Sequence, residues 1–261
     1  MTTGIWQRNM VSWMLVVALL PVAAALWIEQ DGAALLRFGV ALVTILFWQA
    51  VFLIARAQPL SPIAVVTAFA VALLASGTTE AWQIVLAVSF GTVVGEQIFG
   101  GWGRNFIHAG VVALAFLYFA FPEVAHQGTG IWVAISVLPG AALLLLTGIL
   151  SGRVLIGAVV GLVVVTLVMG ADPGAPFLQG SLVFGLTFLV ADPVCSASTR
   201  GGRWLYGGLA GALIALLGWA DVGVAAPQAV VFAALLAAIF APLIDAGIIA
   251  ATTKQWREHN A

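Results

Sequence analysis

Residues 35–55 read LLRFGVALVTILFWQAVFLIA, an apolar run broken by a single charge at Arg37. A bilayer's hydrocarbon core is about 30 Å thick and takes about 20 apolar residues per helical crossing. This run fits that length, and runs like it recur in both directions along the chain. Spacing and hydropathy predict helices near 10–28, 35–55, 61–76, 81–95, 105–121, 131–150, 153–170, 178–191, 203–219 and 226–250. Across all 261 residues, 63% are hydrophobic and 7% charged, with ten Trp and a mean hydropathy of +1.15. A soluble domain carries about 25% charged residues. The composition excludes a cytosolic enzyme, a nucleic-acid binder and a disordered chain. It predicts an all-α polytopic membrane protein whose first solvent is the lipid bilayer.

The charges test the helix count. Ten crossings place Arg8, Arg56, Arg104, Arg153, Arg200, Arg203, Lys254 and Arg257 on one side, with Arg37 near the other. Glu29, Asp31, Glu80, Glu123, Asp172 and Asp221 fall opposite. Basic residues collect in cytoplasmic loops, so both termini are expected in the cytoplasm and the chain in the inner (plasma) membrane. Met10 to Ile28 is too long for a signal peptide and reads as a retained helix. All loops are short, so residues 1–261 are expected to form one membrane domain. The predicted helices 81–95 and 178–191 are short and run into Gly-, Pro- and charge-bearing segments. They read as interrupted helices, each with a Phe-Gly step, Phe90-Gly91 and Phe184-Gly185. Interrupted helices in paired positions suggest an inverted repeat with halves 10–121 and 131–250.

Three segments carry candidate chemistry. In Phe99–His108, Gly100, Gly101 and Gly103 break the helix and let backbone approach a ligand. Arg104, Asn105 and His108 add donors beside them; the plainer reading is a re-entrant turn with Arg104 as a membrane anchor. In the second segment, Phe184, Phe188 and Asp192 lie four residues apart, one face of a helix ending at Pro193. An acid closing an apolar helix pairs, binds a cation or faces water. The column reads either as an aromatic constriction above a carboxylate or as two lipid-facing rings with Asp192 on Arg200 or Arg203. Third, Asp245 follows Pro242 inside the last helix, with an arginine partner or snorkelling as its plain reading. Glu96 and Gln97 stand where they can face the same cavity. His126 and His259 read as solvated loop residues. Cys195 is the single cysteine, which excludes an internal disulfide and a self-contained iron–sulfur cluster. No metal site and no catalytic triad has workable spacing.

At these segments the sequence resembles a known family. SFGTVVGEQIFGGWGRNFIHAGVVALAFLYFAFP is similar to the signature of the NqrB/RnfD family, membrane subunits of the sodium-translocating NADH:quinone oxidoreductase and of the Rnf complex. VFGLTFLVADPVCSASTRGGRWLYGGLAG and AIFAPLIDAGI resemble two further motifs of that family, in the same order. The resemblance implies a ten-helix subunit that carries flavin, passes electrons toward quinone or a neighbouring subunit, and takes part in cation passage. It assigns Arg104 and Asn105 to the cytoplasmic flavin region, Phe184 and Phe188 to the ion path, and Asp192 to its acid. The family's Ser-Gly-Ala-Thr, whose threonine bears FMN, is missing here. Thr129 and Thr79 are weak substitutes, so covalent FMN is not expected.

The function expected on these grounds is a membrane subunit of an electron-transport complex, not an enzyme on its own. A non-covalent flavin (riboflavin or FMN) or a quinone would sit at Gly100–His108, with Na+ or H+ translocation past Phe184, Phe188, Asp192 and Asp245. The other subunits of a redox complex would be its partners. The rival readings are a cofactor-free channel or small-solute transporter on the same scaffold, and a structural anchor for redox partners.

Overall fold

The computed structural model describes residues 8–29, 31–122, 129–220 and 226–259. Glu123, His126 and Asp221 lie outside the described residues, as do the side chains of Glu29, Asp31, Lys254, Arg257 and His259. The fold is all-α, with no strand among the described residues. Its helices are α1 (Arg8–Ala18), α2 (Leu20–Glu29), α3 (Asp31–Arg56), α4 (Ile63–Leu74), α5 (Ala81–Thr92), α6 (Ala109–Ala120), α7 (Ile131–Leu146), α8 (Gly152–Val168), α9 (Gly180–Phe184), α10 (Arg200–Ala220) and α11 (Pro227–His259). Arg8–Leu26, Gly32–Arg56 and Pro227–Thr253 are long and apolar enough to cross a membrane. Shorter apolar helices fill the bundle between them.

All ten predicted helices are present, with altered ends. The expected helix 10–28 is split at Leu19, because Pro21 has no N–H to offer Val17. The expected helix 105–121 starts only at Ala109, since residues 98–108 form a loop. The two interrupted helices are found where expected, and both break the same way. Below α5 the chain winds into a π-helical turn, Val93–Gln97, and below α9 into another, Gly185–Val190. Such turns in apolar helices frequently sit at functional sites.

The helix α3 shows how a bilayer reverses the usual pattern. Its lipid-facing stripe is Leu36, Val43, Phe47 and Ile54, all exposed, while Arg37, Ala41, Ile45 and Gln49 point inward. The inward stripe holds both ends of α4. Gln49 exchanges two hydrogen bonds with Ser61 just before α4, and Arg37 Nε donates to the Ala72 carbonyl near its end. The helix α4 is buried along almost its whole length. Its 12 residues reach about 18 Å, well short of a crossing.

Small residues set the closest packing. In α8 and α10, Gly157, Gly161, Gly207 and Gly211 bring the two backbones together; a Cβ on Gly207 would strike the Val154 carbonyl and one on Gly211 the Ala158 carbonyl. This is the small-residue seam typical of membrane helices, where close van der Waals approach replaces the hydrophobic drive. The Phe-Gly steps have the same purpose. A Cβ on Gly91 would lie 2.5 Å from Ala113 Cβ of α6, and one on Gly185 would collide with Val230 of α11.

Candidate functional site

The segments after the two π turns fold toward each other and form a buried polar cluster. The first contributes Glu96, Trp102, Asn105 and His108; the second contributes Asp192 and Cys195, and all six are buried.

The glycine loop is held by its own backbone. Gly100, Gly101 and Gly103 have φ of 103°, 86° and 94°, left-handed values that side chains rarely adopt. The Gly100 amide donates to the Gln97 carbonyl and the Gly101 amide to the Glu96 carbonyl, both at 3.1 Å. The Gly103 amide donates to Asn105 Oδ1 at 3.1 Å, and Asn105 Nδ2 donates to the Ile107 carbonyl at 2.9 Å. The loop amides are therefore engaged inside the loop instead of forming an open cradle. Asn105 shapes the turn, and its Nδ2 also reaches Cys195 Sγ at 3.6 Å. Arg104 is exposed, with its side chain folded back over Gly100. Arg8 of α1 donates to the Trp102 carbonyl at 3.1 Å, and Gln58 Nε2 donates to the Gln97 carbonyl at 3.2 Å, tying the loop to α1 and to the end of α3.

His108 caps α6. Its Nδ1 accepts the Gly110 amide at 3.1 Å, so the neutral ring carries its proton on Nε2. That Nε2 is buried and has no hydrogen-bond partner, and the same holds for Trp102 Nε1. Leaving a buried donor unsatisfied costs about 1–3 kcal/mol, so two in one loop are a signal that an acceptor belongs there.

The acids are engaged. Asp192 Oδ1 accepts the amides of Val194 at 2.8 Å and Cys195 at 2.9 Å, and the Cys195 thiol bonds the same carboxylate. Glu96 accepts from Gln97 Nε2 at 3.1 Å and from the Trp102 amide. Asp192 is thus held by its own turn and not by Arg200 or Arg203.

Above Asp192, Phe184 and Phe188 are buried, not lipid-facing, and stack with centroids 5.0 Å apart and planes 29° apart. Phe69 of α4 lies 6.2 Å from Phe184, and Phe38 of α3 lies 6.2 Å from Phe69. Four rings from three parts of the chain form one column, of which sequence spacing discloses only two. Asp245 is apart from the column. It accepts the Ser198 amide at 2.7 Å, the Thr199 amide at 3.0 Å and Thr199 Oγ1 at 2.6 Å, pinning α11 to the start of α10. Thr79 and Thr129 are both buried, and their hydroxyls are without partners. The Thr129 carbonyl accepts the Gly180 amide at 3.0 Å, which places it against the start of α9.

Trp102, Phe38, Phe69 and Gln58 escape sequence reasoning, because a tryptophan or phenylalanine in an apolar chain gives no local signal. The two orphaned donors and the adjoining aromatic column fit a flat, oxygen-bearing ring such as a quinone or flavin. Among the described residues, no three His, Cys, Asp or Glu side chains group closely enough to hold a metal ion.

A buried polar cluster between two broken helices, beneath an aromatic column, defines an integral membrane protein built around an intramembrane site. The profile of the NQR2, RnfD, RnfE family matches residues 6–127 and 123–254, so nearly the whole chain is covered, and the chain belongs to that family. Relatives include the NqrB protein of the Na(+)-translocating NADH-quinone reductase of Chromohalobacter salexigens, 29% identical over 82% of this chain and 65% of the relative. The proteins of the same name from Pseudomonas aeruginosa and Azotobacter vinelandii are each 28% identical over 80% of this chain and 65% of their own length. The chain therefore spans about 65% of the length of the curated relatives it matches.

Proposed function

We propose that this chain is the membrane subunit of an electron-transport complex, holding a non-covalent flavin or a quinone against the Gly100–His108 loop. The single observation that carries this is the pair of buried N–H donors without acceptors, His108 Nε2 and Trp102 Nε1. Each suits the carbonyl oxygen of such a ring. Bound there, the ring accepts electrons from one partner subunit and yields them to another.

The chain's own residues bind, orient and shield. The left-handed glycines fold the loop tightly enough to leave His108 and Trp102 inside it. Arg8 and Gln58 hold the loop in register, and the surrounding apolar helices keep water out. Phe184, Phe188 and Asp192 then form the path for a coupled ion, with Phe38 and Phe69 extending the column. Asp245 serves that path as the anchor of the Ser198–Thr199 turn. Covalent attachment of FMN at Thr129 or Thr79 has no support, since both hydroxyls are buried.

The packing also supports an inverted repeat of halves 10–121 and 131–250. Helices α5 and α6 pack together as α10 and α11 do, and α4 pairs with the α9–π segment as the short helix of its half. The same topology puts both termini on the cytoplasmic face of the plasma membrane.

The test is the chromophore and quinone content of the protein purified with its partner subunits. Acid-released flavin or extractable quinone is expected, depleted at least several-fold by His108→Ala and by Trp102→Phe. An assembled complex with neither ligand bound to this subunit would overturn the proposal.

A further inference from the structure

The ion at the lower end of the aromatic column can be identified from the groups that meet there. Glu96, Asp192 and His108 are 3%, 2% and 2% exposed, so all three are sealed from solvent. They come from different elements: Glu96 from the π turn below α5, Asp192 from the turn below α9, and His108 from the start of α6. The titratable and charged groups around them are Cys195 on the Asp192 turn, Tyr206 of α10 and Arg8 of α1. Asp192 is the hub, interacting electrostatically with Glu96, His108, Cys195 and Tyr206.

A hard cation needs a shell of oxygen lone pairs pointing at one spot. This cluster presents the opposite. Asp192 Oδ1 already accepts two backbone amides, and Glu96 already accepts from Gln97 and Trp102. The unpartnered nitrogens beside them, His108 Nε2 and Trp102 Nε1, carry hydrogens that would face a cation with like polarity. Two unpartnered oxygens remain nearby, Thr92 Oγ1 and Gln58 Oε1, which falls well short of a shell. By contrast, two carboxylates and an imidazole in one dry pocket are a set of proton acceptors, and Arg8 offsets the charge of Glu96 alone.

We propose that Glu96, Asp192 and His108 form a buried proton-binding site that excludes sodium, so that the ion handled at this end of the column is the proton. This deepens the ion path proposed above and rests on it. Each step is a proton transfer alone: an O–H bond on one carboxyl breaks as an O–H or N–H bond forms on a neighbour, and no electrons are exchanged. The site thereby departs from the sodium for which the relatives are named.

The experiment follows the carboxylic-acid C=O band in infrared difference spectra of the full chain in lipid nanodiscs as pH is stepped. Wild-type protein is expected to show a titrating buried carboxyl that is lost in Asp192→Asn or in Glu96→Gln. Its midpoint is expected to move by about one pH unit in His108→Asn, where a neighbouring titratable group is removed. Asp192→Asn keeps the Oδ1 acceptor for the Val194 and Cys195 amides; should it still fail to fold, Glu96→Gln carries the test. Replacing choline with sodium is expected to leave the midpoint where it is. A midpoint that moves by about one pH unit per tenfold rise in sodium would make this a cation site and overturn the proposal. So would the absence of any titrating carboxyl that the substitutions remove. Chromophore content of the same sample is read separately and does not enter the titration, so a missing flavin or quinone strikes the proposed function and not the proton site.

Discussion

The helix α4 and the α9–π segment both stop short of a crossing, but they stop in different company. Each has its final carbonyls met by a buried tyrosine: Tyr118 Oη donates to Leu74 at 2.8 Å, and Tyr206 Oη donates to Val190 at 2.9 Å. These are the chain's two tyrosines. A helix that ends in apolar surroundings must have its last carbonyls satisfied from outside, since no water is available. After that shared device the two diverge. The end of α4 is met by the Arg37 guanidinium, a cation where the helix dipole favours one. The α9–π segment runs instead into Asp192, an acid turned toward Glu96 and His108. One short helix closes a wall and the other opens onto chemistry.

The sharpest way to break that contrast is to remove the acid. Asp192→Ala strands two buried amides and is expected to lower stability by about 3 kcal/mol, seen as an earlier thermal transition in detergent. Asp192→Asn, which keeps the acceptor, is expected to retain most of that stability while losing ion coupling. A smaller effect is expected from the paired glycines. Gly91→Ala and Gly185→Ala each overpack a helix contact and should cost about 2 kcal/mol in the same melting assay. If only one of the pair is sensitive, the two interrupted helices are not equivalent in packing. Next, Gly103→Ala forces a left-handed residue and is expected to cost about 1 kcal/mol, with a larger loss in bound chromophore. The smallest effects sharpen the comparison most. Tyr118→Phe and Tyr206→Phe should each cost about 1 kcal/mol, but only Tyr206→Phe is expected to slow electron transfer, because only that tyrosine borders Asp192.

Fold class and helix count were legible because hydropathy runs and charge segregation are strong signals in a chain with so few charges. The broken helices were legible as well, through Phe90-Gly91, Phe184-Gly185 and the residues after them. What stayed hidden was how each break is made. A π turn shows no sequence signature beyond tolerance for glycine, and the shortness of α4 is invisible because residues 61–76 are apolar almost throughout. For the site, spacing picked out Phe184, Phe188 and Asp192 as one face but had no means to bring Phe38 and Phe69 to it. It also read the glycine loop as an open cradle, whereas Gly100, Gly101 and Gly103 direct their amides inward. The donors left over, His108 Nε2 and Trp102 Nε1, follow from which groups Asn105 and Gly110 bond, and only three-dimensional neighbours decide that.

The α8–α10 seam has a mechanical consequence. With Gly157, Gly161, Gly207 and Gly211 bringing backbone against backbone, no side chain there can swing aside, and the two helices behave as a single plank. Tyr206 and the turn clamped by Asp245 ride on that plank, so the position of Asp192 is referenced to it. The glycine loop is referenced elsewhere, to α1 through Arg8 and to the end of α3 through Gln58. The cluster therefore straddles a joint between two separately braced parts, and any shear between them is read first as a change in the distance from Asp192 to His108.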